Sequence, residues 1–252
     1  MTLSIPEMPI HIAFLKKLEF QLISLLSTGS QQVLEQAVPC ICSILTLTEQ
    51  YQRLEVVLTR CFDFLNKLKA DQAVPIPPAT APVLFRCLLL TSLIIRYYSR
   101  SNRRQEGFDL TMHFMSAIPK SQVPLIAWGH ISLGTPTLFV TRESMAMIQE
   151  VLDGSSEPKH MELVKVFITF LESQNEKVEE FTKSTKVDMK VLLGHGSGFS
   201  ESGISSALMQ TFLDPLLGLM LIPHIHLARL ALRIIMLSLE QGLVHPILVF
   251  IL

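Results

Sequence analysis

Apolar residues recur along this chain in steps of three and four, the spacing that lines one side of an α-helix. The clearest stretch is 49–69. There Tyr51, Leu54, Leu58, Cys61, Leu65 and Leu68 share a face, while Gln52, Arg53, Glu55, Asp63 and Lys67 fall opposite. The same period predicts a helix over 8–27 (Ile12, Leu15, Leu18, Leu22, Leu25) and another over 31–47 (Val33, Ala37, Ile41, Ile44, Leu45). Thr28-Gly29-Ser30 breaks the two apart and Ser30 can cap the second, which Pro39 is expected to bend. Ala70 to Pro82 holds four prolines and no periodicity, so it reads as a loop or semi-rigid linker.

Helical spacing resumes over 83–98, gives way to a polar loop from Ser99 to Gly107, and returns over 108–118 up to Pro119. Further helices are expected from Pro124 to Gly134, over 141–152, and from Pro158 to Phe181. Lys183 to Gly203 reads as a loop, Gly- and Ser-rich in its second half, followed by a helix over 204–222 that Pro215 perturbs. The last helix follows His224. Leu227, Leu230, Ala231, Ile234, Ile235 and Leu237 form its apolar face, with Arg229, Arg233 and Glu240 on another. Gly242 stands where a helix ends in a left-handed residue, and Pro246 blocks continuation.

No segment alternates with period two for long enough to make a strand. Helices of this length, paired through short turns at intervals of roughly 35–50 residues, are the pattern of HEAT or armadillo arrays. The expected fold is therefore all-α, an α-solenoid of HEAT-like helix pairs. Its expected divisions are HEAT-like helices over 1–69, a Pro-rich linker over 70–82, HEAT-like helices over 83–182, a Gly/Ser-rich loop over 183–203 and a terminal helix pair over 204–246.

Composition sharpens this picture. With 49% hydrophobic residues, 17% charged residues and mean hydropathy +0.41, the chain raises a membrane hypothesis. Run length argues against it. Cys87–Ile95 is bounded by Arg86 and Arg96, and Pro215–Ala228 contains prolines and histidines, so both fall short of the ~20 apolar residues of a spanning helix. Net charge is −1, so the whole chain exerts no pull on nucleic acid. The first twelve residues lack a basic region followed by an apolar core, and no secretory signal is read there. Cys40, Cys42, Cys61 and Cys87 lie within helical patterns, as reduced, buried thiols would.

Candidate chemistry is sparse. Gly194-His195-Gly196-Ser197-Gly198 is neither a nucleophile elbow, a dinucleotide fingerprint nor a P-loop, and composition favours a flexible linker. His224 and His226 lack local metal-ligand partners and are expected at a helix start, while Cys40-Ile41-Cys42 has the wrong spacing for a CxxC site. Arg96, Arg100, Arg103 and Arg104, beside Tyr97 and Tyr98, form a compact basic cluster that could contact phosphate, although Glu106 and Asp109 follow at once. Lys183, Lys186 and Lys190 are a weaker second group. No acid, base and nucleophile are assembled, so neither an enzyme, a cofactor, a metal nor a small-molecule substrate is expected.

One element carries a resemblance. Ala231-Leu232, then Leu237, then Gln241-Gly242-Leu243-Val244-His245-Pro246 is similar to the signature of the Nipped-B-type cohesin-loading subunit. In that family a Gln-Gly-Leu-(Ile/Val)-His/Asn-Pro run follows the second helix of a HEAT repeat. Ser197–Ser200, Ile204–Gln210, Gly134–Phe139, Pro82–Cys87 and Val33–Ala70 resemble other stretches of the family in the same order, so the likeness covers 30–247. Two departures stand out. Ala228-Arg229 occupies the place of a family Val-Arg-x-x-Ala, and Ile247–Leu252 replaces a further helix with a Cys-(Ile/Val)-Pro core. Because the family's members are far longer, the chain reads as a fragment from its C-terminal region.

The resemblance implies a non-enzymatic nuclear scaffold that promotes loading of cohesin onto DNA, in sister chromatid cohesion. Implied partners are cohesin subunits and a smaller loader subunit, with DNA or chromatin as a further contact and no membrane. The alternative is an unrelated HEAT or armadillo scaffold for trafficking or signalling.

Overall fold

The computed structural model describes residues 12–48, 51–71, 76–98, 102–184 and 197–245. Within them the chain forms ten α-helices and one 3-10 turn. These are α1 (Ile12–Thr28), α2 (Gln31–Thr48), α3 (Gln52–Ala70), α4 (Ala81–Tyr97), α5 (Arg104–Ala117), α6 (Val123–Gly134), the 3-10 turn Pro136–Val140, α7 (Arg142–Asp153), α8 (Glu157–Ser184), α9 (Ser197–Met220) and α10 (Ile225–Glu240). The fold is an all-α array of HEAT-like helix pairs, with no strand among the described residues.

Two helices differ from their sequence expectation. The polar loop expected over Ser99–Gly107 is shorter, because α5 already begins at Arg104 with Glu106 in its first turn, where a carboxylate complements the helix dipole. The loop expected over 183–203 is likewise shorter. Ser184 still belongs to α8, and Ser197 opens α9, so 197–203 are helical; residues 185–196 lie outside the described ones. Glycine lowers helix propensity by only about 1 kcal/mol per residue, so Gly198 and Gly203 are tolerated. Both internal prolines, Pro39 and Pro215, sit inside continuous helices.

The chain divides into two compact units, Met1–Leu110 and Thr111–Leu252, and the division falls within α5. The Pro-rich stretch does not separate units, since α3 and α4 on either side of it pack together. Pro82 stands in the first turn of α4, where its missing N–H costs nothing.

In the first unit α1 pairs with α2 and α3 with α4, while α2 and α4 stack on each other across the pairs. The apolar faces of α2 (Leu34, Val38, Ile41, Leu45) and α3 (Leu54, Leu58, Phe62, Leu65) are buried. α4 is buried on every side from Leu88 to Ile95 because it lies between α2 and α3. The stretch weighed as a membrane candidate is thus a core helix, and no helix among the described residues is long and apolar enough to cross a membrane. Two polar links fasten the pairs. The Arg86 guanidinium donates to the Leu26 carbonyl at 3.0 Å, and Arg53 lies 3.5 Å from the buried carboxylate of Glu19.

The second unit repeats the scheme. α7 packs on α8 and α9 on α10, with α6, α8 and α10 stacked in sequence and α7 against α9. Its core centres on Phe139 from the 3-10 turn. This ring meets Trp128 edge-on at 5.3 Å and Phe170 at 4.8 Å, and Phe167 continues the cluster to Phe212. The Trp128 indole N–H donates to the Ser144 hydroxyl at 2.9 Å, so the largest buried side chain leaves no donor unmet. α6 and α8 approach so closely at Gly129 that an added Cβ would lie 2.4 Å from Val166 Cγ2.

Candidate interaction surfaces

The basic cluster lies in the first unit, at the end of the α3–α4 pair and the start of α5. Its cations are largely engaged within the protein. The Arg103 guanidinium lies over the Phe62 ring at 3.7 Å and donates through Nε and Nη2 to the Glu106 carboxylate at 2.6 and 2.8 Å. Asn66 Nδ2 donates to the same carboxylate at 2.9 Å. These bonds hold Glu106 below the usual carboxylate value, Arg103 first among them, and Glu106 in turn raises the Arg103 value.

Arg96 is half-buried over the Tyr97 ring, and burial lowers its value while Tyr97 and Glu35 oppose the change. Arg104 is half-buried in the first turn of α5. Tyr98 is buried, its ring stacked on Tyr51 at 5.2 Å and its hydroxyl donating to Glu55 at 2.7 Å. Arg100 lies outside the described residues. Of the two tyrosines beside the cluster, Tyr97 is the exposed one. The arrangement works as a clamp that fixes the start of α5 against α3. A bidentate guanidinium already filled by a carboxylate has little left for phosphate.

The second surface is α10, in the second unit. His224 caps its first turn, accepting from the Leu227 N–H at Nδ1 (3.2 Å), with Nε2 2.8 Å from a Glu157 oxygen. Both ring nitrogens are used, which bears out the helix-start reading of His224. The inner face buries Leu227, Ala231, Ile234, Ile235 and Leu237 as the spacing predicts, whereas Leu230 is half-buried. Arg233 pairs with Glu172 of α8 at 3.0 Å.

The outer face carries something that the sequence pattern did not single out. Ile225, Leu232 and Met236 are 64%, 45% and 46% exposed and fall with Arg229 in one line, at steps of four, three and four. The signal was present in α10 as apolar residues outside the inner-face period.

The signature run itself closes α10. Gly242 has φ 66°, and its N–H donates to the Leu239 carbonyl while the Leu243 N–H reaches back to Ser238, the two bonds of a Schellman cap. Gln241 Nε2 donates to the Leu171 carbonyl of α8 at 2.8 Å, and Val244 is buried. Each residue from Gln241 to Val244 therefore has a structural task.

Other candidates fall elsewhere. Of Gly194–Gly198, Ser197 and Gly198 open α9 and the rest lie outside the described residues, as do Lys186 and Lys190. Of the four cysteines expected to be buried, Cys42 and Cys61 are; Cys87 is half-buried and Cys40 is exposed on α2.

Comparison with known proteins adds three findings. The family model of the sister chromatid cohesion C-terminus matches residues 205–251, the α9–α10 pair and its cap. Nipped-B-like proteins of Mus musculus and Homo sapiens are each 23% identical over 93% of this chain, and the sister chromatid cohesion protein mis4 of Schizosaccharomyces pombe is 22% identical over the same share. The chain spans only 9% of the two mammalian proteins and 16% of the yeast one. The C-terminal fragment of the Chaetomium thermophilum cohesin loader SCC2 has the same fold, with a TM-score of 0.78 over 94% of this chain and 18% of that one, at 17% identity. With the family model seated on the α10 cap and the relatives' similarity running over 93% of its length, the chain is similar to the Nipped-B-type sister chromatid cohesion proteins.

Proposed function

We propose that this chain serves as a segment of a cohesin-loader scaffold, acting in the nucleus without catalysis to promote loading of cohesin onto DNA. The observation that carries this reading is the α10 cap, Gln241 to Val244, which falls inside the region matched by the sister chromatid cohesion family model. The names of its relatives point the same way, and they favour this reading over an unrelated trafficking or signalling scaffold.

Its partners would be cohesin subunits and a smaller loader subunit, with DNA as a further contact. Helix pairs present long surfaces that bind through many modest contacts, so the exposed Ile225–Arg229–Leu232–Met236 line of α10 is one place where such contacts would gather. Contact with DNA through Arg96, Arg100, Arg103 and Arg104 would be limited by the Glu106 carboxylate that holds Arg103 and by the burial of Arg96.

Affinity capture of the tagged chain from nuclear extract tests the reading. Cohesin subunits should be enriched over a tag-only control, and enrichment should fall several-fold for Leu232→Glu with Met236→Glu. Absence of cohesin from the wild-type capture, when the chain is folded by circular dichroism, would refute it.

A further inference from the structure

Ile225, Arg229, Leu232 and Met236 stand on the side of α10 opposite Leu227, Ala231, Ile234 and Ser238, which are buried. α8 and α9 pack on other sides of α10 and leave this line exposed. It runs over eleven positions, about 16 Å of helix. Its make-up is that of an interface centre rather than of a solvated face: isoleucine, leucine and methionine set around an arginine, with no lysine.

Arg229 decides what can cover it. Its guanidinium is exposed and makes no hydrogen bond or ion pair with any described residue. No described carboxylate of α8, α9 or α10 pairs with it. Glu172 holds Arg233, Glu157 meets His224, and Glu240 stands eleven positions along the helix. A partner that covers the three apolar side chains must bury Arg229 with them, and a charge buried without its counter-charge opposes binding. The occupant therefore brings a carboxylate, which the planar guanidinium holds in a fork.

Other occupants fail on charge or on backbone. A second copy of α10 laid antiparallel over the line would set the two Arg229 side chains within one helical turn of each other, and a parallel copy would set them face to face; like charges so placed cost binding. Residues 246–252, which lie outside the described ones, carry no acidic side chain. DNA would meet one free cation among three apolar side chains, where backbone binding needs several. An extended peptide would leave its own N–H and C=O groups unpaired against a helix surface. A helix satisfies its backbone internally, and steps of four, three and four are the spacing along which two helices interlock.

We propose that the outer line of α10 docks an amphipathic helix of a partner protein, whose apolar stripe covers Ile225, Leu232 and Met236 and whose glutamate or aspartate faces Arg229. The inference gives the α10 surface of the loader reading its partner chemistry, and it rests on that reading for the source of the helix. Its test uses no cohesin, so the two fail separately.

Two fluorescein-labelled designed helical peptides serve as probes, identical except for one position within their leucine stripe, Glu in one and Lys in the other. Each is titrated with the full chain and followed by fluorescence anisotropy. The Glu peptide should bind about five- to ten-fold more tightly than the Lys peptide, and the difference should shrink as salt is raised. Arg229→Glu should invert the preference, a reversal that general damage to the fold cannot produce. Leu232→Ser with Met236→Ser should weaken both peptides while circular dichroism stays unchanged. Equal affinities, a preference that survives Arg229→Glu, or no binding of either peptide, as when residues 246–252 cover the line, would overturn the proposal. So would self-association of the chain in sedimentation velocity that Leu232→Glu abolishes, since the line would then belong to a second copy.

Discussion

At the scale of single residues, this fold depends on a few positions where side chain or backbone has no substitute. Gly129 is one. A Cβ there would meet Val166, whose branched side chain is stiff, so either α6 or α8 must give way. Gly129→Ala should destabilise the chain by about 1–3 kcal/mol, measured by urea denaturation followed through Trp128. Gly242 is another, for a different reason. Its surroundings are open, but a φ of 66° strains any residue with a Cβ, so Gly242→Ala should cost about 1–2 kcal/mol.

The Arg103–Glu106 pair sets a pH dependence on the same scale. Glu106 has a folded value below its ordinary 4.5, so its contribution is present above that value and is lost as pH falls through the folded one. Glu106 remains partly exposed, so the effect is a few tenths of a kcal/mol. Glu106→Gln should flatten the acid limb of the stability profile below about pH 4.5 and leave stability near pH 7 only slightly changed. An unchanged acid limb in the variant would show that the pair carries no pH-dependent stability.

At the scale of elements, α10 shows how a family signature works as local chemistry. Leu243 and Gly242 use the last carbonyls of the helix, while Gln241 reaches sideways to the Leu171 carbonyl and so fixes α10 against α8. Gln241→Ala should remove this link between α10 and α8 and cost about 1 kcal/mol, read as a lower midpoint in denaturant with an unchanged slope. The sequence marked this cap through Gly242 and Pro246, because a left-handed residue and a helix stop have strong residue preferences. It did not mark the Gln241 bond, because its acceptor is a backbone carbonyl seventy positions away and every residue has one. The boundaries missed at α5 and α9 have a similar cause. Arg104, Ser197 and Gly198 are polar or small, so they stand outside the apolar period by which a sequence marks a helix.

At the scale of the whole molecule, two compact units predict a particular unfolding behaviour. The single tryptophan, Trp128, lies in the core of the second unit, whereas far-ultraviolet circular dichroism reports helices of both. Fluorescence and circular dichroism should therefore give midpoints in urea that do not coincide. Superimposable transitions would show that the units unfold as one. The proposed contacts also belong to this scale, since the exposed apolar residues of α10 are spread along a helix face.

The all-α architecture and the likeness to the Nipped-B-type proteins followed from the amino-acid sequence alone. Helical periodicity and a glycine-centred cap are written in short stretches of chain, where neighbours three or four positions apart decide the outcome. The availability of particular side chains was decided only by the tertiary structure. The cluster of Arg96, Arg103 and Arg104 looked open in the sequence, and folding brought Phe62, Asn66 and the Glu106 carboxylate onto Arg103. Cys40 and Cys87 looked like buried core residues, and folding left Cys40 exposed on α2 and Cys87 half-buried on α4. Such encounters join residues distant in sequence, and no period along the chain encodes them.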